Sequence, residues 1–302
     1  MTRKLFFTIV LAFAIGSFGW MSCEKIDEPI KVVDHKIYPE NPDDTLFFKD
    51  SISTTLRQVL LEEFTGHLCV NCPEASLMIH TLAASLDHRL IIYTAHAGPF
   101  ATPQPNTVFD ADFTNTVSNR LNLDFGIWAY PSAMIDRKPY QNSYTILKDD
   151  WESNVNSELA KPNVANLKLI STWFPKLSTL TITTETEFIA EPAGQYKLAI
   201  YLVEDSIIAP QRNNKPFIGA DTLMNYVHHN VLRDAINGAY GEYLTESSGL
   251  ATGEIYTKRY NYVVNPDWNI EHCNIIAYLG KYDATYNLIE IVQVAELAVR
   301  TE

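Results

Sequence analysis

Two cysteines, Cys69 and Cys72, are separated by two residues, a spacing that permits reversible disulfide formation. A thiol at the N-terminal end of a helix has a lowered pKa and is a better nucleophile near neutral pH. We therefore expect Cys69 to face solvent as the attacking thiol and Cys72 to resolve the mixed disulfide. A small structural disulfide or half of a zinc site are the alternatives. Zinc is disfavoured because no second cysteine pair and no His-x-x-x-His motif is present nearby.

The flanking residues predict the elements that hold this pair. Residues 59–61 are apolar, as in a buried strand, and Gly66 interrupts the pattern. Pro73 suits the first turn of a helix, where its missing N–H costs little. The residues that then recur at helical spacing are Ala75, Leu77, Met78, Leu82 and Leu86. The cysteines are thus predicted at a strand-to-helix junction, at the positive end of the helix dipole.

This stretch resembles the active-site region of the thioredoxin superfamily. The resemblance implies that Glu63, six residues before the first cysteine, assists proton transfer to and from the second cysteine. It also implies that Pro131, in a Tyr-Pro pair, is the cis-proline that packs beside the cysteines. Leucine replaces the usual tryptophan before the first cysteine, and Val-Asn replaces Gly-Pro between the cysteines, so the redox potential does not carry over.

The N-terminal residues 1–22 read as a secretory signal. Arg3 and Lys4 are followed by an apolar run at 5–14 that is short for a membrane span. The Ser22-Cys23 end resembles a bacterial lipobox, so we expect cleavage before Cys23 and attachment of a lipid to it. An uncleaved anchor and ordinary secretion are the alternatives. An exported chain meets an oxidising compartment, in which a disulfide persists.

Length and charge limit the classes of function. The 302 residues suit about two domains, and the net charge is −13. Residues 1–22 hold two basic and no acidic residues, so the mature chain would carry −15. This acidity argues against nucleic-acid binding, which needs a basic surface. We expect no cofactor and no metal.

Four segments are predicted. They are a signal peptide at 1–22, a tether at 23–52 rich in acidic residues and proline, a thioredoxin-like α/β domain at 53–161 and a β-sandwich domain at 162–302. Phe47 and Phe48 are expected to begin an added strand that pairs with the α/β domain. That domain is expected to hold strands at 90–96 and 133–136, and a second helix whose face includes Phe109, Phe113, Val117 and Leu121. A third helix is expected at 144–159.

From residue 163 the pattern changes to alternating apolar and polar residues. Strands are predicted at 164–174, 177–189, 196–203, 254–264, 273–279 and 288–297. Short strands separated by turns favour an immunoglobulin-like sandwich. Cys273, alone in an apolar strand, is expected to be a small buried hydrophobic residue.

Four histidines are candidates for further chemistry. His67 and His96 could shuttle protons, although a surface turn residue and a polar strand end are the simpler interpretations. His228 and His229, with Arg233, could form a ligand or metal patch. Adjacent strand residues point to opposite faces, so a polar strand or loop edge is favoured instead.

Together these features resemble the Omp28-related family of outer membrane lipoproteins. The resemblance rests on the lipobox-like end and on residues 63–73, 226–233 and 289–296. It implies a thioredoxin-like domain followed by a β-sandwich at the outer membrane, and no known substrate. Two functions remain open. One is a lipid-anchored thiol–disulfide oxidoreductase that acts on protein thiols or disulfides, and the other is a non-enzymatic binding or adhesion lipoprotein.

Overall fold

Strands outnumber helices in the part of the chain that the computed structural model describes, residues 47–50, 56–245, 249–283, 285 and 287–299. The predicted signal peptide, Cys23 and all of the predicted tether except Phe47–Asp50 fall outside these residues. The larger sheet has parallel and antiparallel pairs, and the smaller sheet is antiparallel.

The larger sheet holds the cysteine loop, which is the segment of residues 66–72 that follows β2 and contains both cysteines. Its seven main strands, in spatial order, are β14 (Leu288–Ala298), β13 (Cys273–Tyr282), β7 (Gln195–Glu204), β10 (Val231–Ala235), β3 (Leu90–His96), β2 (Val59–Thr65) and β4 (Ser132–Ile135). A short strand, β11 (Glu242–Tyr243), also pairs with β7. β3 is parallel to both β2 and β10, and the other pairs are antiparallel. All seven residues of β2 and of β3 are buried. The sequence of β3 is mostly apolar, as expected for a strand covered on both faces, whereas β2 also buries Glu62 and Glu63.

This sheet is continuous across the boundary predicted after residue 161. β10 lies between β3 and β7, with Val231 opposite Thr94 on one side and Glu204 on the other. At the far edge, the Ile291 amide donates to the Asp136 carbonyl over 2.7 Å. Strands from both sides of the predicted boundary therefore complete one sheet.

The smaller sheet packs against β7, β13 and β14. Its strands, in order, are β1 (Phe47–Asp50), β5 (Ala165–Phe174), β6 (Thr179–Phe188) and β12 (Ile255–Val263). Burial alternates along β5 and β6, as the sequence pattern predicts. Their inward side chains, including Leu167 and Ile182, share a core with Leu198 and Ile275 of the larger sheet. The expected strand at Phe47 is present, but it pairs with β5 and not with the cysteine-bearing region.

Three helices cover the region around β2 and β3. They are α1 (Cys72–Ser85), α2 (Thr116–Asp124) and α3 (Trp151–Leu159). Ile79 of α1 and Trp151 of α3 pack in one core with Leu61 and Ile92. Leu121 of α2 belongs to a different core, which includes alternate residues of the same strands. The helices therefore cover both faces of this part of the sheet.

Two of the helices are shorter than the sequence predicts. The second begins only at Thr116, because the Asn115 side chain accepts a hydrogen bond from the Ser118 amide over 2.7 Å and caps it. The third begins at Trp151, because Ile146 is extended and exchanges two backbone hydrogen bonds of 2.9 Å with Ala133.

A hairpin of β8 (Ile207–Arg212) and β9 (Thr222–His228), which the sequence pattern does not predict, follows β7. Among the described strands, these two pair only with each other. The hairpin connects β7 to β10, and its tip reaches the cysteine loop.

Candidate functional site

Cys69 and Cys72 form a disulfide with a Cα–Cα distance of 5.4 Å. Cys69 lies in the turn after β2, and Cys72 is the first residue of α1. Both residues are only 2% exposed. The expectation that Cys69 faces solvent is therefore wrong, because another part of the chain covers it.

One group that covers the cysteine loop is Gln211, near the end of β8. Its Nε2 donates to the Cys69 carbonyl over 2.9 Å and is 3.3 Å from the Gly66 carbonyl. Gln211 is 2% exposed, so these hydrogen bonds are shielded from water. Residues 207–228, which the sequence analysis did not assign to the site, thus contribute to it.

Gly66 allows the cysteine loop to pack closely on its neighbour. A Cβ atom at this position would lie 2.3 Å from the Phe100 carbonyl carbon. The Leu68 amide donates to the Phe100 carbonyl over 2.9 Å, which fixes the approach. Glycine is therefore required here by a close backbone contact.

The Tyr130–Pro131 peptide bond is cis. In the register of β4 against β2, Ser132 is opposite Phe64 and Ala133 is opposite Glu63. Pro131 therefore directly precedes β4 and lies beside the end of β2 that leads into the cysteine loop.

Glu63 is buried within β2 and is 1% exposed. Neither of its carboxylate oxygens has a hydrogen-bond partner in the described structure. Burial raises the pKa of Glu63 to about 8. The carboxyl group is therefore mostly protonated at neutral pH and can donate a proton.

Glu63 and Cys72 line the same small cavity. Its volume is about 10 Å³, close to the least that holds a single water molecule. The other lining residues are Thr65, Ser76, Thr94, His96, Gln211, Tyr226, His228 and His229. The second cysteine and an acid without a hydrogen-bond partner among the described residues thus line the same small space.

His96 and His228 contribute imidazoles to this cavity. Their ring centroids are 5.4 Å apart, and both rings contact Phe113. Burial is the main cause that lowers the pKa of His96 well below its usual value, and the neighbouring His228, His67 and Arg233 add to this effect. Burial also lowers the pKa of His228 to about 3. Both imidazoles are therefore neutral at physiological pH.

The position of His228 corrects its interpretation as a polar edge residue, since it is 3% exposed. Tyr226 and His228 are two apart in β9, and both line the cavity. The alternation of strand side chains is the signal that could have placed them together. His229, just beyond the strand, donates from Nδ1 to Asp205 Oδ1 over 2.8 Å.

His67 is also buried, at 1% exposure, and is not a surface turn residue. Its ring stacks on Phe109 at 5.9 Å. Burial lowers the pKa of His67, although a hydrogen bond to Thr102 and the charge of Asp112 oppose this effect. A neutral His67 gives little electrostatic support to a Cys69 thiolate.

The suggested patch of His228, His229 and Arg233 is not formed as a unit. Arg233 pairs through Nε with Glu204 Oε2 over 2.8 Å. Within residues 56–245, 249–283 and 287–299, no group of three or more His, Cys, Asp or Glu side chains is arranged to hold a metal. Cys273 is a free, fully buried thiol, as predicted, and burial raises its pKa to about 12.

Comparison with solved structures gives likeness in fold at low sequence identity. The chain is similar to HBP35 of Porphyromonas gingivalis, with a TM-score of 0.60 and 15% identity over 82% of this chain and 77% of that one. It is also similar to protein AGR_C_4864 from Agrobacterium tumefaciens, with a TM-score of 0.53 and 10% identity over 82% and 97% of the two chains. A domain of the outer membrane lipoprotein Omp28 from Porphyromonas gingivalis matches with a TM-score of 0.29 and 18% identity, over 45% and 88%. No curated protein sequence matches significantly.

The family comparison covers more than half of the sequence. The model of the family described as outer membrane protein Omp28 matches residues 118–302, which include Pro131 and the 226–233 and 289–296 motifs but not the cysteine pair. None of the described helices is long and apolar enough to span a bilayer. The chain belongs to the Omp28 family and is accordingly an outer membrane protein of the cell envelope.

Proposed function

We propose that this protein is a lipid-anchored thiol–disulfide exchange protein that acts through Cys69 and Cys72. The observation that carries the proposal is the shared cavity of Cys72 and Glu63. A buried carboxyl without a hydrogen-bond partner costs stability. Its proton is of use if Cys72 leaves as a thiolate within the same cavity.

The exchange begins when a thiolate of a partner dithiol attacks Cys69 Sγ. An intermolecular disulfide forms as the Cys69–Cys72 bond breaks, and the bonding electron pair stays on Cys72 Sγ. Cys72 takes a proton from Glu63, which regains one from solvent. The second partner thiolate then attacks the partner sulfur of the mixed disulfide and releases Cys69 as a thiolate. Two electrons have moved to this protein, and the reverse sequence reduces a partner disulfide.

The arrangement around the site supports a thioredoxin-like interpretation of this region. β3, β2 and β4 are adjacent in that order, β2 and β3 are parallel, and β4 is antiparallel. Ile146 adds a bridge on the outer side of β4, followed by α3. The core that contains Leu167 lies between the smaller sheet and part of the larger sheet. We propose that these two layers form the immunoglobulin-like sandwich. We propose that it presents the redox site from a membrane anchor on Cys23.

The role of Glu63 is tested by the reduction potential of the pair, measured from pH 5 to 10 in the wild-type protein and in Glu63→Gln. We expect the wild-type curve to change slope near pH 8, because Glu63 titrates there in the oxidised protein. Glu63→Gln should lack this change. Glu62→Gln is the control, since the Glu62 carboxylate pairs with Arg137 Nη2 over 2.7 Å. Identical curves for wild type and Glu63→Gln would contradict the proposed role.

The role of the cysteines is tested by trapping. Cys72→Ser leaves Cys69 free to attack a partner disulfide without a resolving thiol, so mixed disulfides should accumulate in envelope extracts. Cys69→Ser should accumulate none, and the buried Cys273 should not interfere. If Cys72→Ser formed no mixed disulfides, the result would favour the second candidate, a binding or adhesion protein with an inert disulfide. The observation in favour of that candidate is the 2% exposure of both cysteines.

A further inference from the structure

We propose that the hairpin of β8 and β9 is a lid, which must lift from the cysteine loop before a partner thiolate reaches Cys69. This inference rests on the proposed thiol–disulfide exchange. In-line attack requires open space beyond the attacked sulfur, and the closed arrangement leaves Cys69 2% exposed. A device that uncovers it is therefore needed for exchange with a protein partner.

The hairpin holds the cysteine loop mainly through its tip. The Arg212 amide donates to the His67 carbonyl over 2.8 Å, and the Asn214 amide donates to the Val70 carbonyl over 3.1 Å. Together with the hydrogen bond from Gln211 to the Cys69 carbonyl, these contacts form a row along the cysteine loop. The hairpin thus donates hydrogen bonds to backbone carbonyls on both sides of Cys69 as well as to its own carbonyl.

Two further contacts lie at the exposed end of this row. The Asn214 side chain donates to Asn71 Oδ1 over 2.9 Å, and Lys215 Nζ lies 3.1 Å from Glu74 Oε2. Both pairs involve exposed or partly exposed groups, which water can replace at little cost. The contacts can therefore open from the tip inward.

The base of the hairpin has the features of a hinge. Ser206 and Asn230 flank the two strands, and both have positive φ angles, of 58° and 50°. Asp205 ties the two ends together, because Oδ1 accepts from the Asn230 amide over 3.1 Å and Oδ2 accepts from Ser206 Oγ over 3.0 Å. The Asn230 carbonyl in turn accepts from the Thr94 amide over 2.8 Å, which holds the base on β3.

Strand pairing within the described part of the chain does not join the segment between tip and base to the larger sheet. Among the described strands, β8 and β9 pair only with each other, so lifting them breaks no strand pairing of the larger sheet. Tyr226 and His228 on β9 also line the cavity that holds Glu63. Lifting the hairpin would therefore admit water to Glu63 at the same time as it uncovers Cys69.

The test measures the rate at which dithiothreitol reduces the Cys69–Cys72 disulfide in the full chain. Gln211→Ala removes the carboxamide bonds to the cysteine loop and should accelerate reduction about tenfold, the factor that corresponds to about 1.4 kcal/mol. The control is Gln293→Ala. Gln293 is also buried, and its Nε2 donates to the Asn163 side chain and the Ala165 carbonyl far from the disulfide. Equal acceleration in both variants would mean general destabilisation and would overturn the lid.

Hydrogen exchange gives a second readout that does not depend on reduction. The Arg212 and Asn214 amides should exchange faster in Gln211→Ala, whereas the Leu60 amide in β2, which donates to Asp136 Oδ1, should not change. Unchanged exchange at residues 212 and 214 would also overturn the lid. Neither experiment involves Glu63 or a partner protein, so a failed lid leaves the pH and trapping tests of the proposed function standing.

Discussion

Glu63 and Cys72 are both buried and line one small cavity, Glu63 on β2 and Cys72 at the start of α1. The carboxyl group has no hydrogen-bond partner in the described structure, although such groups are normally paired. An acid held in this state reduces stability, and its effect on unfolding depends on pH.

We predict that Glu63→Gln stabilises the oxidised protein increasingly as the pH rises from 4.5 to 8. The pKa of Glu63 is about 8 when folded and about 4.5 when unfolded. Between these values the unfolded chain loses the proton and the folded chain keeps it, so wild-type stability falls with pH. The difference between the two proteins should approach about 5 kcal/mol above pH 8. Denaturant unfolding at pH 4 and pH 8 measures it, and an equal difference at both values would contradict the prediction.

We predict the opposite pH dependence for His228. Its pKa is about 3 in the folded state, compared with 6.5 for the free group. As the pH falls below 6.5, the unfolded chain binds a proton that the folded chain refuses, so stability is lost. His228→Gln should reduce this loss by up to about 5 kcal/mol between pH 6.5 and 3. The control is His272→Gln, because His272 is exposed. Acid unfolding measures the stability that each protein loses between pH 6.5 and 3, and equal losses for wild type and His228→Gln would refute the assignment.

We predict that Arg57→Ala destabilises the protein by about 3–5 kcal/mol. Arg57 Nη2 lies 2.6 Å from Asp136 Oδ2, and both residues are almost fully buried. Removal of the arginine leaves an unpaired buried carboxylate. Lys138→Ala removes an exposed partner of Glu290 and should cost at most about 1 kcal/mol. Urea unfolding of both variants provides the comparison, and similar losses would exclude a special role for the buried pair.

We predict that Cys23→Ala abolishes metabolic lipid labelling and releases the protein from the membrane fraction or leaves it uncleaved. The acylated cysteine is the only lipid attachment that we propose. Ser22→Ala, which keeps a small residue before the cleavage point, should still be labelled. Unchanged labelling of Cys23→Ala would exclude this residue as the attachment site.

The sequence predicted local features better than it predicted their neighbours. The strand at Leu90–His96 and the cysteines at a strand-to-helix junction follow from short apolar runs, Gly66 and Pro73. The burial of Cys69 does not, because it depends on Gln211, about 140 residues away in sequence. β10 was likewise not recognised as the strand between β3 and β7, since it has only five residues and its partners are distant. Short-range periodicity carries no information on such pairings.

The continuity of the larger sheet has a consequence for the order of events during folding. Arg57 donates to the Val292 carbonyl across 235 residues of chain, so this contact between the start of β2 and β14 forms only after the last strand is available. Contacts of such long range slow folding, because a large loop must close before they form. The hairpin covers the cysteine loop through contacts about 140 residues apart in sequence, which also form late. We therefore expect Cys69 and Cys72 to be more accessible to oxidation before these contacts form than in the finished fold.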